Sequence, residues 1–177
     1  ETSIIGSNVE IGSGSSIESS IVLDNTRIGN NVRIISGIIG ENTIIIMMGD
    51  NGFFLGEHGL AGKWFPYEES VRVPLFIYNP QEKEENKGRR IESIALNIDI
   101  APTILEFAGL KKDPNMQGEP LQNTWKEDDP EWRDRFFYEH RFDHPGLPKS
   151  EAVIGSDFKY IHYYELPDSS MEFYDLR

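Results

Sequence analysis

Residues 48–75 of the chain read MGDNGFFLGEHGLAGKWFPYEESVRVPL, and this stretch decides how the rest of the sequence is interpreted. An unbroken apolar run, residues 44–48, leads into it, and Asp50 and Asn51 follow that run after Gly49. Such a run is typical of a strand buried on both faces of a parallel sheet, with polar residues emerging at its carboxyl end. On its own, Asp-Asn-Gly would be foremost a turn signal. The sequence therefore predicts a buried strand that ends in a polar turn.

Three more polar motifs follow within the same stretch: Gly-Glu-His-Gly around His58, Gly-Lys at Lys63, and Arg-Val-Pro beginning at Arg72. Together with Asp-Asn-Gly, they resemble the second half of the active site of the sulfatase family. The resemblance continues to residue 177 and covers about three quarters of the chain. It implies an α/β fold with part of an alkaline-phosphatase/sulfatase-like sheet, followed by a small antiparallel C-terminal sheet.

The resemblance also implies roles for individual residues. Asp50 and Asn51 match the acid and amide that ligate a calcium ion in the family, and their oxygens suit a hard divalent cation. Lys63 matches the lysine that holds a sulfate oxygen, where its charge would stabilise the transferring group. His58 matches a catalytic position close to the substrate, and His140 a substrate-binding one. The plainer alternatives are a surface-loop role for His58 and a structural role for His140 at a strand end.

The remaining sequence contains signals for one helix and four strands. The segment Asn97-Ile98-Asp99-Ile100-Ala101-Pro102 opens a helix, in which Asn97 or Asp99 can act as the cap and Gly109 ends the apolar pattern. Strands are predicted at residues 136–140, 152–154, 160–164 and 173–176, which form the small C-terminal sheet.

The N-terminal part of the chain is a repeat with a period of seventeen residues. Branched apolar residues recur every six positions within each period, and asparagines recur at a fixed offset: Ile5, Ile11, Ile17, Val22, Ile28, Ile34, Asn8, Asn25 and Asn42. Three short strands per period with polar corners describe a triangular coil. The segment resembles the hexapeptide-repeat, left-handed β-helix family, in particular the C-terminal modules of sugar-phosphate nucleotidyltransferases. Because it contains no His or Lys to act as a base, we interpret it as a scaffold.

The two patterns overlap near residues 41–44 without a flexible linker. We therefore predict two domains, a β-helix segment at 1–43 and a sulfatase-like region at 44–177, and interpret the chain as a chimera. A chain that starts at Glu1, without an apolar leader, is expected to be a processed protein or a fragment. The compartment is left open, since the absence of cysteine gives no redox signal.

Sulfatases attack with a formylglycine made from Cys or Ser in a Cys/Ser-x-Pro-x-Arg motif. The chain contains no Cys, and none of its serines stands in such a motif. The upstream acidic pair that would complete the calcium site also has no counterpart. We expect the chain as given to be inactive, with sulfate esters as its substrate class if the other half is supplied. Two alternatives are a scaffold or oligomerisation module and a phosphodiesterase or phosphonate hydrolase of the same superfamily, although Lys63 favours sulfate.

The composition restricts the classes of binding partner that the chain can have. A formal net charge of -13 argues against nucleic acid, because binding to phosphate backbones requires clustered Lys and Arg. No apolar run approaches the roughly 20 residues of a membrane-spanning helix. A strand at 44–48 without its usual neighbours would have an open edge, so we expect possible partners to include a second copy, bound through this edge or through the β-helix.

Overall fold

A computed structural model of the chain describes residues 2–125, 131–164 and 170–177. The chain divides into two units. The first comprises Glu1–Met48 and Leu75–Lys87, and the second comprises Gly49–Pro74 and Gly88–Arg177. Within the described ranges, no helix is both long enough and apolar enough to cross a membrane.

The strands are short in the first unit and longer towards the C-terminus. In chain order they are β1 (Ile4–Ile5), β2 (Glu10–Ile11), β3 (Ser16–Glu18), β4 (Ile21–Val22), β5 (Arg27–Ile28), β6 (Arg33–Ile35), β7 (Ile38–Ile39), β8 (Ile45–Met48), β9 (Phe54–Leu55), β10 (Ala61–Gly62), β11 (Leu75–Tyr78), β12 (Arg135–His140), β13 (Ser150–Gly155), β14 (Phe158–Tyr163) and β15 (Met171–Asp175). The α-helices are α1 (Glu68–Val71) and α2 (Ile100–Phe107), and 3-10 turns lie at Glu57–Gly59, Glu84–Asn86, Asn97–Asp99 and Leu121–Trp125.

The first seven strands form the coil that the repeat predicts. Each strand pairs in parallel with the strand one period later, as Ile4 does with Ile21 and Glu10 with Arg27. The pairs form three faces, β1-β4-β7, β2-β5 and β3-β6. The β-helix segment of the predicted fold is thereby confirmed.

The core of the coil is closed in its middle turn. Val22 is 1% exposed and Ile28 is 6% exposed, whereas the equivalent Ile5 and Ile11 of the preceding turn are each 45% exposed. Several corners have positive φ, including 58° at Asn25, a conformation that asparagine tolerates better than branched residues. The asparagine side chains stack along the coil, where Nδ2 of Asn8 donates to Oδ1 of Asn25 at 3.2 Å.

The apolar run at residues 44–48 is not buried on both faces of a parallel sheet, so that interpretation was wrong. Strand β8 pairs in the antiparallel sense with β11, and its residues alternate between exposed and half-buried. Met47 lies opposite Phe76, and these side chains are 58% and 60% exposed. The apolar run indicates that the segment is apolar and extended. Its strand pairing and its burial depend on residues elsewhere in the chain.

The small antiparallel C-terminal sheet is confirmed, in the order β12-β13-β14-β15. Its inner face forms the core of the second unit and packs on the segment that contains α1. Four buried residues make up this core, Ala152, Ile154, Ile161 and Tyr163, and five half-buried ones pack against it, Phe65, Tyr67, Val71, Phe136 and Tyr138.

The predicted helix begins at Ile100, and Asp99 organises the turn that leads into it. The Asp99 carboxylate is fully buried and accepts hydrogen bonds from the backbone N–H groups of Leu96 (2.7 Å) and Glu119 (2.9 Å). It also accepts two from the Arg133 guanidinium, one of them at 2.7 Å. One carboxylate thus ties the start of α2 to two distant segments.

Candidate functional site

Asp50 and Asn51 lie in a tight polar turn at the start of the second unit. The Asp50 carboxylate accepts the backbone N–H of Asn51 at 2.9 Å, and the Asn51 amide donates to the carbonyl of Gly52 at 2.8 Å. Gly52 is required here, since a Cβ at this position would stand 2.0 Å from the carbonyl oxygen of Glu69. The close approach to Glu69 fixes the turn and leaves the Asp50 side chain exposed.

Lys63 reaches this turn from the hairpin of β9 and β10. Its ammonium group donates to Oδ1 of Asn51 at 2.7 Å, although twelve residues separate the two along the chain. The structure therefore brings together three of the residues that the sequence singled out, Asp50, Asn51 and Lys63. A carboxylate, an amide oxygen and an ammonium group in one exposed turn can bind an oxyanion beside a cation.

Asn97 joins this group from the turn before α2, and sequence reasoning assigned it only a possible capping role. Its amide donates to the backbone carbonyl of Asp50 at 2.7 Å, across 47 residues of sequence. Asp99, two residues later, fixes the same turn through its buried ion pair with Arg133. No local pattern could have revealed the Asn97 contact, because it joins two loops that are distant in the chain.

His58 lies in different surroundings. Its backbone has φ of 55°, and its Nε2 lies 3.3 Å from a carboxylate oxygen of Glu69. Its ring stands 4.9 Å from the ring of Tyr67 and 6.2 Å from that of Phe54, measured between centroids. Within the described part of the chain, none of these contacts is with Asp50, Asn51 or Lys63. His58 approaches the turn only through Glu69, and its proposed catalytic role stays a prediction.

His140 ends β12 on the inner face of the C-terminal sheet. Both ring nitrogens are buried and have no hydrogen-bond partner among the described residues, and the same is true of Oγ of Ser150, which stands opposite in the strand register. The ring of Trp64 lies 5.7 Å from the His140 ring and stacks at 14° on that of Phe142. The residue after Lys63 in the chain therefore covers His140.

A cluster of three tyrosines and one glutamate binds the segment that follows Lys63 in the chain to the C-terminal sheet. The hydroxyl of Tyr67 donates to the Glu172 carboxylate at 2.9 Å, and that of Tyr174 donates to the same carboxylate at 2.8 Å. The Tyr163 hydroxyl donates to that of Tyr67 at 3.3 Å, and burial raises the pKa of Tyr163 to about 12. Burial also raises the pKa of Tyr67 well above its usual value, with help from its hydrogen bonds to Tyr163 and Glu172. These hydroxyls therefore stay protonated and serve as donors.

The predicted calcium ligands have suitable chemistry but do not complete a site. Calcium takes roughly six to eight oxygen ligands, whereas Asp50 and Asn51 offer two side chains. Across residues 2–125, 131–164 and 170–177, no group of three or more His, Cys, Asp or Glu residues is placed to hold a metal ion. In addition, the Asn51 oxygen already contacts the Lys63 ammonium. The residues present therefore do not fit a calcium ion by themselves.

Two family models match the chain. Residues 56–177 match N-sulphoglucosamine sulphohydrolase, C-terminal, and residues 1–54 match GlmU-like, C-terminal hexapeptide. Among curated relatives, an N-acetylglucosamine-6-O-sulfatase of Bacteroides thetaiotaomicron is 38% identical over 142 residues, which cover 77% of this chain and 25% of the relative. An arylsulfatase of Clostridium perfringens is 32% identical over 123 residues, covering 69% of this chain and 25% of that protein. The chain thus spans about a quarter of the length of the relatives it matches.

Solved structures agree with this match. A structure in complex with its substrate, D-glucosamine-2-N,6-O-disulfate, aligns with a TM-score of 0.69 at 35% identity, over 77% of this chain and 28% of the other. A phosphonate monoester hydrolase of Agrobacterium radiobacter aligns with a TM-score of 0.63 at 30% identity, over 76% of this chain and 29% of the other.

Proposed function

Because residues 56–177 make this chain a member of the sulfatase family, we propose that it supplies the C-terminal part of a calcium-dependent sulfuric ester hydrolase. The single observation that supports a functional site is the hydrogen bond of 2.7 Å between the Lys63 ammonium and the Asn51 side chain, beside Asp50. It joins two separate motifs of the family resemblance in one place.

In this proposal Lys63 binds and stabilises the sulfate group. An ammonium group held in place near the transferring oxygens offsets the negative charge that develops there, and it needs no reorganisation during the reaction. Asn51 holds the ammonium through its side chain, and Asn97 holds the turn through the backbone of Asp50. Asn97 is therefore a positioning residue for the turn.

Asp50 would contribute its carboxylate to a calcium site, and Asn51 would contribute its side-chain oxygen only in exchange for the hydrogen bond from Lys63. The other ligands would come from polypeptide outside these 177 residues. With two ligands, the affinity for a hard cation is expected to be poor. No step of the reaction is derived through the ion.

The proposed substrate class is a sulfate ester of glucosamine. The support comes from the relatives: an N-acetylglucosamine-6-O-sulfatase and a structure that holds D-glucosamine-2-N,6-O-disulfate are both at least 35% identical over 77% of this chain. No formylglycine motif stands in the 177 residues. We therefore propose that the chain as given does not turn over substrate, because positioned charges can only assist a nucleophile that is present.

The experiment replaces the matching quarter of the Bacteroides thetaiotaomicron sulfatase with residues 49–177 of this chain and measures hydrolysis of N-acetylglucosamine 6-sulfate. We expect activity that falls by about 10²-fold or more in Lys63→Ala and also falls in Asp50→Asn. Lys83→Ala, an exposed lysine paired with Glu85, is the matched control and should leave the rate unchanged. A hybrid that is folded but unaffected by Lys63→Ala would refute the assignment. The unmodified 177-residue chain should show no turnover above background with nitrocatechol sulfate and millimolar calcium.

A second candidate is hydrolysis of phosphonate or phosphate esters. The alignment with the Agrobacterium radiobacter phosphonate monoester hydrolase supports it. The same hybrid separates the two proposals: a phenyl phosphonate ester cleaved faster than the sugar sulfate would favour this second candidate.

A third candidate is a scaffold built on the coil. Its support is the regular parallel register of β1 to β7 and the match of residues 1–54 to a hexapeptide model. Self-association through the coil or the edge of β8 belongs to this proposal. A 177-residue chain that forms defined oligomers, combined with a hybrid enzyme that shows no hydrolysis, would favour it.

A further inference from the structure

A lysine lies in the apolar core of the C-terminal sheet. Lys159 is 3% exposed and shares one face of β14 with Ile161 and Tyr163. In the strand register it lies opposite Ile154 on β13 and Tyr174 on β15. Taking an ammonium group out of water is costly, and a well-packed apolar side chain of similar volume is often as stabilising or more so. The charge of Lys159 therefore has to be explained by something other than the stability of the core.

The ammonium group of Lys159 binds α1. Its Nζ donates to Oε1 of Glu68, the first residue of the helix, at 2.7 Å and across 91 residues of sequence. The residue before the helix is bound to the same sheet, since the hydroxyl of Tyr67 donates to the Glu172 carboxylate at 2.9 Å. Val71, the last residue of α1, packs against the apolar core. Apolar contacts are non-directional, whereas a charge-assisted hydrogen bond fixes the position of the helix on the sheet.

The backbone of α1 contacts the polar turn of the candidate site. The N–H group of Gly52 donates to the carbonyl of Ser70 at 2.8 Å. A Cβ at Gly52 would stand 2.0 Å from the carbonyl oxygen of Glu69, so the two backbones leave no space between them. Gly52 follows Asn51, whose side-chain oxygen accepts the hydrogen bond from Lys63. A displacement of α1 would therefore displace the pair of Asn51 and Lys63.

We propose that Lys159 is a positioning residue for the candidate site. Through Glu68 it fixes α1 on the C-terminal sheet, and α1 fixes Gly52 and the Asn51 side chain that holds Lys63. The inference rests on the proposed function only for what the site does, because the contacts that lead from the sheet to the turn exist without any reaction. The buried charge serves the geometry of the site at the expense of the stability of the core.

The test is NMR and urea unfolding of the 177-residue chain that carries Lys159→Met. Methionine fills a similar volume without a charge, so the unfolding midpoint should stay where it is or rise. The backbone amide signal of Gly52 and the side-chain amide signals of Asn51 should nevertheless shift, because the hydrogen bonds that they report change. Arg72→Met is the matched control, since Arg72 lies 3.9 Å from the same Glu68 carboxylate but directly follows α1 in the chain and has a side chain that is 71% exposed. This control should leave both sets of signals in place.

A second pair of variants separates position from stability. Glu68→Leu leaves Lys159 buried without this partner, so the unfolding midpoint should fall. The double variant of Glu68→Leu with Lys159→Met should regain at least the midpoint of the parent chain, while its Gly52 signal stays shifted.

Three outcomes would overturn the positioning role. These are Lys159→Met with Gly52 and Asn51 signals that match the parent, Lys159→Met with shifted signals and a lower midpoint, which would indicate lost packing, and Arg72→Met with shifts as large as those of Lys159→Met. None of these outcomes depends on hydrolysis. A hybrid enzyme that cleaves no sulfate ester would refute the proposed reaction alone, provided that Lys159→Met still shifts the signals of the turn.

Discussion

Replacing Asp99 with asparagine should destabilise the second unit by about 3–5 kcal/mol, the usual cost of breaking a buried ion pair. The Asp99 side chain is 0% exposed, and that of Arg133 is 18% exposed. All four groups bound to the carboxylate are N–H donors, from Leu96, Glu119 and the Arg133 guanidinium. Asparagine keeps the shape but turns an NH₂ group towards these donors, so it loses the charge and leaves donors unpaired.

Tryptophan fluorescence during urea unfolding measures this effect. The three tryptophans, Trp64, Trp125 and Trp132, all belong to the second unit, so the signal reports that unit. With a urea m-value of about 1–3 kcal/mol per molar, the midpoint should fall by roughly 2 M. Such a loss is a large fraction of the roughly 5–15 kcal/mol that stabilises ordinary domains.

Asp134→Asn is the matched control for this prediction. Asp134 also pairs with an arginine, Arg135, but both side chains are more than half exposed. An exposed pair is worth about 0–1 kcal/mol, so this midpoint should barely move. Equal midpoints for Asp99→Asn and Asp134→Asn would refute the reasoning, and the double variant with Arg133→Met should show strong coupling between Asp99 and Arg133.

Three further predictions concern other parts of the chain. Burial raises the pKa of Tyr163 to about 12, while an unfolded tyrosine titrates near ~10. The stabilising contribution of Tyr163 is therefore complete below about pH 10 and is lost as the pH rises towards 12. In unfolding measured across this range, Tyr163→Phe should lose less stability with rising pH than the parent chain does. At the coil corner with φ of 58°, Asn25→Val should destabilise by about 1–2 kcal/mol more than Asn25→Gly, and amide hydrogen exchange of residues 1–48 would contradict this if both variants were equally protected. Light scattering should show self-association of the parent chain as concentration rises and less of it in Met47→Lys, since a charge on an open strand opposes pairing. A parent chain that stays monomeric at every concentration would refute self-association through the unpaired edge of β8.

The sequence determined the parts of the fold that depend on local periodicity. A seventeen-residue period sets the parallel register of the coil, because each inward residue must lie above its equivalent one turn earlier, as Val22 lies above Ile5. Segments rich in aromatic and β-branched residues likewise predicted the strands of the C-terminal sheet, because such side chains favour extended backbone. The motifs around Asp50 and Lys63 were sufficient to indicate the family.

Only the tertiary structure decided which side chains meet. The amide of Asn97 reaches the backbone of Asp50 across 47 residues, and Arg133 reaches Asp99 across 34. His140 and Ser150 become neighbours through the register of two strands. The burial of β8 also depended on distant residues. For this reason the apolar run at residues 44–48, which predicted two buried faces, has one face exposed. Local patterns determine backbone hydrogen bonding and the direction of side chains. Contacts across loops depend instead on how those loops close, which the residues next to each contact do not determine.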